Sequence, residues 1–135
     1  MFGQLLAREY GDPSYFTIHQ LTVDTYAAQH PGQPERRTIQ SVGLHLMTLC
    51  MVMERDFDPS NGPVMHKKIV ANPPTFTWLD PPADLGKRTV KDVLAAETPE
   101  QHRDLVMRWG RAVWEAWAPH HDQVRGWIDE VLEAL

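Results

Sequence analysis

The most apolar segment of the chain lies at residues 42–53 and reads VGLHLMTLCMVM. In a helix this segment points apolar side chains in almost every direction, so other helices must enclose it. Its length of about 12 residues falls well short of the roughly 20 that cross a bilayer, which favours enclosure by protein over a membrane. We therefore predict a central, buried helix from Pro34 to Arg55.

A polar stripe crosses this predicted helix. Its members are spaced by three and four positions and therefore share one face. They are Thr38, Ser41, His45 and Thr48. His45 lies where the stripe passes through the most apolar part of the segment, so it indicates where a polar site would lie in the interior.

Composition narrows the class of protein. With 135 residues, the chain is long enough for its own core, and we expect residues 1–135 to form a single helical domain. A formal net charge of -5 offers no basic field for a phosphate backbone, so we expect no nucleic-acid partner. The only cysteine, Cys50, lies in the apolar segment and excludes an internal disulfide framework. No signal peptide opens the sequence, and we expect a cytoplasmic protein without membrane association.

Helix start and stop signals predict the other elements. Phe2 to Tyr10 forms a short helix, and Asp12-Pro13 opens a second that runs to about His30, before Pro31-Gly32. Further helices are predicted at 64–71, at 89–96, and from Thr98 onward with a bend or division at Pro119. No convincing strand is present, which disfavours a nucleotide-binding fold. The predicted fold class is all-α, a single-domain bundle of four to six helices.

A proline-rich connection at residues 72–88 interrupts these helices. A connection of this length is either a mobile lid or a segment held by its own side chains. Phe76, Trp78 and Leu79 are three large apolar residues within four positions, and they favour the packed alternative.

The short link around Gly32 makes the two helices beside it antiparallel neighbours. Residues equally distant from Gly32 then lie at the same height, within about one turn. His19 and His45 meet this condition. We therefore expect these two histidines to lie level with each other.

Three of the seven histidines are predicted on inward faces: His19, His45 and His120. Imidazole is the commonest side-chain metal ligand, and facing helices of a bundle can supply ligands to one ion. We therefore predict a site for a divalent transition metal at these residues, with His121 as the substitute for His120 if the bend at Pro119 turns it inward. Zinc, nickel, copper or iron would suit such ligands. Ser41, Thr48 or Asp24 would orient the ring nitrogens that bind no metal.

A structural role for the histidines is the competing interpretation. A histidine on an apolar face is commonly a core residue whose nitrogens bond to a carbonyl or hydroxyl group. No strong metal signature is present, neither a histidine pair four residues apart nor a cysteine pair. Of the remaining histidines, His30 is expected at a helix C-terminus, and His66 and His102 at the surface.

The tryptophans of the last helices are expected in the core rather than in a ligand box. They are Trp109, Trp114, Trp117 and Trp127. Any of them that faced outward would instead mark the interface of a homodimer.

Four runs of sequence resemble an uncharacterised bacterial family catalogued only as a domain of unknown function. The runs are 6–13 (LAREYGDP), 19–32 (HQLTVDTYAAQHPG), 41–46 (SVGLHL) and 114–121 (WEAWAPHH). The resemblance implies no activity, because none is assigned to that family. Longer members carry a Cys-x-x-Cys-Gly segment before the first helix, which this sequence lacks, so no zinc ribbon is implied. A looser likeness exists to metal-binding four-helix bundles related to DNA-damage-inducible proteins, whose closely spaced histidine pair is missing here.

Two hypotheses of function follow from the sequence. The first is a metal-dependent hydrolase or transferase that acts on a small-molecule substrate of unknown identity. The second is a non-catalytic helical module for binding or dimerisation, in which the histidines are buried hydrogen-bonding groups. Whether the protein is an enzyme is left open by the sequence.

Overall fold

The computed structural model describes residues 1–134, and the chain in this range is all-α. Its helices are α1 (Phe2–Gly11), α2 (Pro13–Phe16), α3 (His19–Gln29), α4 (Arg36–Glu54), α5 (Gly62–Ala71), α6 (Val90–Leu94), α7 (Pro99–Ala116) and α8 (His121–Ala134). Short 3-10 turns occupy Pro59–Asn61 and Ala118–His120. The predicted fold class is confirmed, but these eight α-helices exceed the expected four to six.

Helix α4 is the central element, as predicted. It packs against α3, α5, α7 and α8. Leu46, Leu49 and Cys50 are fully buried within it. A capping box fixes its start, because the Glu35 side chain accepts from the backbone of Thr38 while the Thr38 hydroxyl accepts from the backbone of Glu35. No helix within residues 1–134 is both long enough and apolar enough to span a bilayer.

Two predicted helices are each divided, which accounts for the larger number. The predicted helix from Pro13 to His30 breaks at Thr17 and Ile18, two consecutive β-branched residues of weak helix propensity. The last helix divides at the turn that contains Pro119, as the missing amide hydrogen of proline requires. The apolar face beyond the turn is maintained, because Val124, Trp127 and Val131 are all buried.

The proline-rich connection is packed against the helices. Leu79 is buried, and Phe76 and Trp78 pack against the hydrophobic core. A Cβ atom at Gly43 of α4 would overlap the ring of Phe76, so the absence of a side chain at this position allows the ring to lie directly on the helix. The other side of Phe76 meets Trp127 edge to face, with ring centroids 5.1 Å apart.

A buried carboxylate joins three helices. Glu9 of α1 is fully buried and accepts hydrogen bonds from His19 Nδ1 at 2.9 Å and Thr22 Oγ1 at 2.6 Å, both on α3. His102 Nε2 of α7 donates to the same carboxylate at 2.7 Å. His102 is itself fully buried, so its expected surface position is wrong. The three donors offset the cost of desolvating Glu9, and we call Glu9, His19, Thr22 and His102 the Glu9 clamp.

Replacing Glu9 should destabilise the whole fold. Glu9→Ala leaves the imidazole of His102 buried without its acceptor, and we expect a loss of about 3 to 5 kcal/mol in the free energy of unfolding. Urea denaturation followed by circular dichroism measures this loss. Glu130→Ala removes an exposed carboxylate from α8 and serves as the matched control, with a change within about 0.5 kcal/mol. A similar small change in Glu9→Ala would show that the clamp does not stabilise the fold.

Candidate metal centre

Three consecutive helices bring one ligand-bearing side chain each to a common point. They are Asp24 of α3, His45 of α4 and His66 of α5. One donor atom from each lies within 4.8 Å of the donor atoms of the other two, a spacing that a single metal ion could bridge. Among residues 1–134, no other three histidine, cysteine or carboxylate side chains have their donor atoms this close together.

Asp24 is fully buried, and its two oxygens differ in their surroundings. Oδ1 accepts hydrogen bonds from His45 Nδ1 at 2.6 Å and from Gln20 Nε2 at 2.9 Å. Oδ2 is buried without a hydrogen-bond partner in the described part of the chain. One carboxylate oxygen therefore holds the His45 ring in place, and the other has a lone pair free for a further ligand.

His66 carries a second polar atom without a partner. Its Nδ1 is buried and has no hydrogen bond to any described residue. The His66 ring lies 5.8 Å from the ring of His45, measured between centroids. Buried polar atoms in folded proteins nearly always have a partner, so unpaired atoms on two residues of one group call for an explanation.

Burial and the neighbouring charges both shift the pKa values of Asp24 and His66. Burial raises the pKa of Asp24, while the hydrogen bond and charge of His45 and the hydrogen bond from Gln20 oppose this rise. Burial also lowers the pKa of His66, as does the charge of His45, against the opposing effect of Asp24. A lowered pKa favours the neutral imidazole of His66, which is the form that binds metals.

A close approach of α5 to α3 positions His66. A Cβ atom at Gly62, the first residue of α5, would lie 2.6 Å from Cγ of Gln20. The missing side chain at Gly62 thus lets the start of α5 contact the residue that bonds to Asp24. His66 follows Gly62 by four positions, so it lies one turn further along the same face of α5.

The register of α3 and α4 differs from the prediction. Asp24, not His19, is the α3 residue opposite His45, and Pro34 and Glu35 lie midway between them in the chain. The turn is therefore centred two to three residues later than Gly32, because α4 begins only at Arg36. His19 precedes Asp24 by five residues, about 7.5 Å along the helix axis.

The structure does not bring the four predicted ligands together. His45 belongs to the group, but His19 bonds to Glu9 in the clamp. His120 Nε2 donates to the carbonyl oxygen of Asp80 at 2.7 Å. His121 Nε2 donates to the carbonyl oxygen of Trp114 at 2.7 Å, and its ring stacks on the Trp114 indole. Both rings are thus engaged with backbone carbonyl groups, one in the proline-rich connection and one in α7, and they do not converge on His45.

His66 was expected at the surface, and its true position had a signal in the sequence. In the predicted helix at 64–71, His66 shares a face with Ile69, three positions later, which is buried. Asp24 was expected only to orient a histidine ring, and its hydrogen bond to His45 agrees with that expectation. Its unpaired second oxygen could not be inferred without knowing the neighbouring helices.

A second polar group surrounds Glu54 at the end of α4. Its carboxylate accepts from Arg125 Nε at 2.7 Å and from Trp114 Nε1 at 2.9 Å. Cys50 lies beside it, with Sγ 3.8 Å from Glu54 Oε1. Burial and the adjacent negative charge of Glu54 raise the pKa of the Cys50 thiol to about 12. This group therefore contains no activated nucleophile.

The predicted core position of the tryptophans is confirmed: Trp109, Trp114, Trp117 and Trp127 are all buried. Because none of these four indoles faces outward, they give no support for a homodimer interface.

Fold and site together define a small all-α protein with an Asp-His-His group between three of its helices. Residues 1–118 match the model of the family of unknown function DUF5946, and the chain belongs to this family. Comparisons with curated proteins and with solved structures find no match.

Cys50 should be unreactive in the folded protein. With a pKa of about 12, only about one thiol in ten thousand is ionised at pH 8, and the side chain is fully buried. We expect no modification by iodoacetamide over an hour in buffer and complete modification in urea, as measured by intact mass spectrometry. Modification of the folded protein at the rate of a free thiol would contradict the burial of Cys50.

Proposed function

We propose that the protein binds one divalent transition-metal ion through Asp24, His45 and His66. The observation that carries this proposal is the pair of buried, unpaired atoms in one group, Asp24 Oδ2 and His66 Nδ1. Each would cost about 1 to 3 kcal/mol if it stayed without a partner. A cation between them satisfies both atoms and also offsets the burial of the carboxylate charge.

The donor set agrees with this choice of ligand. Two imidazoles and one carboxylate suit zinc, nickel or iron better than calcium or magnesium, which prefer oxygen ligands. Sites with three protein ligands keep coordination positions open for water and substrate, as catalytic rather than structural zinc sites do. A metal ion at this position would act as a Lewis acid.

The chemistry that we propose is hydrolysis or group transfer on a small molecule. In that reaction Asp24 has two separate tasks. Its Oδ1 fixes the orientation of the His45 ring through a 2.6 Å hydrogen bond, and its Oδ2 is the atom available to the ion. The buried free thiol of Cys50 is in keeping with a reducing compartment, and we propose that the protein acts in the cytoplasm.

The second candidate is a non-catalytic helical module for binding or dimerisation. It is favoured by the histidines outside the group, since His102, His120 and His121 all make hydrogen bonds typical of structural residues. Tyr10 and Phe16 would supply its contact surface, because both rings are exposed and their centroids lie 5.5 Å apart. In this case a buried water would join Asp24 to His66.

Cobalt titration separates the two candidates, because Co²⁺ in a four- or five-coordinate protein site absorbs visible light far more strongly than Co²⁺ in water. We expect the metal-free full chain to bind one equivalent. Asp24→Asn, His45→Gln and His66→Gln should each weaken binding at least about tenfold, with circular dichroism confirming that each variant folds. Zinc should raise the melting temperature of the wild type and have little effect on these variants.

His30→Gln and His120→Gln are the matched controls. Both histidines bond to backbone carbonyl groups outside the Asp24 group, so both variants should bind cobalt as the wild type does. A wild type that binds no cobalt, or one whose affinity is unchanged by all three ligand substitutions, would overturn the metal proposal and leave the structural role of the histidines.

A further inference from the structure

A groove of about 710 Å³ opens between the first half of α4, the end of α5 and the connection that follows α5. Its polar lining consists of Arg36, Arg37, Gln40 and Ser41 from α4 and of Thr75 from the connection. Its apolar lining includes Leu44, Ile69, Val70 and Phe76. The volume lies within the range of about 300 to 1,000 Å³ that is typical of sites for small molecules.

The groove lies next to the Asp24 group and shares two of its three helices, α4 and α5. Ser41 precedes His45 by four positions, so it lies one turn away on the same face of α4. Ile69 and Val70 follow His66 by three and four positions and lie one turn away on α5. The groove therefore begins one helical turn from both histidines.

Charge distinguishes the far end of the groove. Arg36 and Arg37 are exposed, and within residues 1–134 neither makes an ion pair or a side-chain hydrogen bond. In a chain with 18 acidic and 13 basic residues, two adjacent guanidinium groups without an ion pair among the described residues form a positive site for an anion. Guanidinium groups suit carboxylates and phosphates because their donors match the geometry of these anions.

We propose that this groove binds an amphipathic organic anion, with its carboxylate or phosphate head at Arg36 and Arg37 and its apolar body along Leu44, Val70 and Phe76. This inference rests on the proposed function, because it identifies the anion as the substrate class of the metal centre. Arg37 precedes His45 by eight residues, about 12 Å along the helix axis. The bond that reacts therefore lies at the end of the apolar body, about that distance from the charged head.

Isothermal titration calorimetry of the full chain tests this inference with three probes that share one apolar chain: octanoate, octyl phosphate and octan-1-ol. We expect both anions to bind at least about tenfold more tightly than the alcohol, with an affinity that falls as salt is added. The double variant Arg36→Gln, Arg37→Gln should reduce the affinity for the anions to that of the alcohol. The relative affinity of octanoate and octyl phosphate then identifies the head group.

The chain offers a matched control for this double variant. Lys87 and Arg88 are also adjacent, exposed and basic, and they lie outside the groove lining. Lys87→Gln with Arg88→Gln changes the net charge equally and should leave octanoate binding unaltered. Val70→Glu places a negative charge on the exposed wall of the groove and should abolish anion binding without disturbing the core.

Equal affinity for octanoate and octan-1-ol, or octanoate binding that survives the loss of both arginines, would overturn the inference. The cobalt titration keeps this outcome separate from failure of the metal centre. The Arg36→Gln, Arg37→Gln variant should bind cobalt normally, and Asp24→Asn should bind octanoate normally. A wild type that binds cobalt but not octanoate would contradict the groove proposal alone. A wild type that binds octanoate but not cobalt would contradict the metal proposal alone.

Discussion

The enclosure of α4 is the constraint on which the rest of the structure depends. A helix that is apolar around most of its circumference exposes too much hydrocarbon to stand at a surface, so α3, α5, α7 and α8 must all pack against it. Enclosure also removes Thr48 and most of the His45 side chain from water. His45 can lie among these helices only because Asp24 of α3 accepts its hydrogen bond at 2.6 Å.

Two buried carboxylates differ in how many of their oxygens have hydrogen-bond partners. Glu9 engages both of its oxygens, with His19 on one and with Thr22 and His102 on the other. Asp24 receives both of its hydrogen bonds on Oδ1, and Oδ2 has no partner among the described residues. The Glu9 carboxylate thus has partners on both oxygens, and among the described residues the clamp leaves only His102 Nδ1 buried without a hydrogen bond. The Asp24 group has unpaired atoms on two residues, one of them an oxygen of the carboxylate itself, so it keeps lone pairs for a ligand. This difference locates the candidate site at Asp24 although both groups contain two histidines.

Local signals in the sequence were sufficient for most helices. The start at Thr98-Pro99, the division at Pro119 and the central position of α4 all follow from capping chemistry, proline geometry and hydrophobic periodicity. Which residues form the site depends on the register of α3 against α4, and these local signals do not determine that register. A shift of two to three residues in the turn near Gly32 was enough to replace His19 by Asp24 opposite His45.

Long-range contacts explain what the sequence could not reveal. His102 meets Glu9 across 93 positions of the chain. Its spacing from Val106 and Trp109 places it on the inward face of α7, but the acceptor that allows its burial lies on α1 and cannot be inferred from α7 alone. For His66 the shared face with Ile69 was a local signal, but the approach of its helix to Asp24 depends on the packing of Gly62 against Gln20. The sequence thus predicted that histidines would meet in the interior, but packing decided which ones.

Two glycine contacts connect the architecture to the proposed chemistry. Gly62 lets α5 approach α3, which brings His66 to Asp24, and Gly43 lets Phe76 lie directly on α4, where its ring forms a wall of the groove. Both contacts are between packed elements rather than exposed loop tips, so the site and the groove share a rigid frame. A substrate held at Arg36 and Arg37 would then present its far end at a distance fixed by α4 itself. The spacing between the charged head and the reacting bond would then be set by the helix, and the groove would select substrates by length.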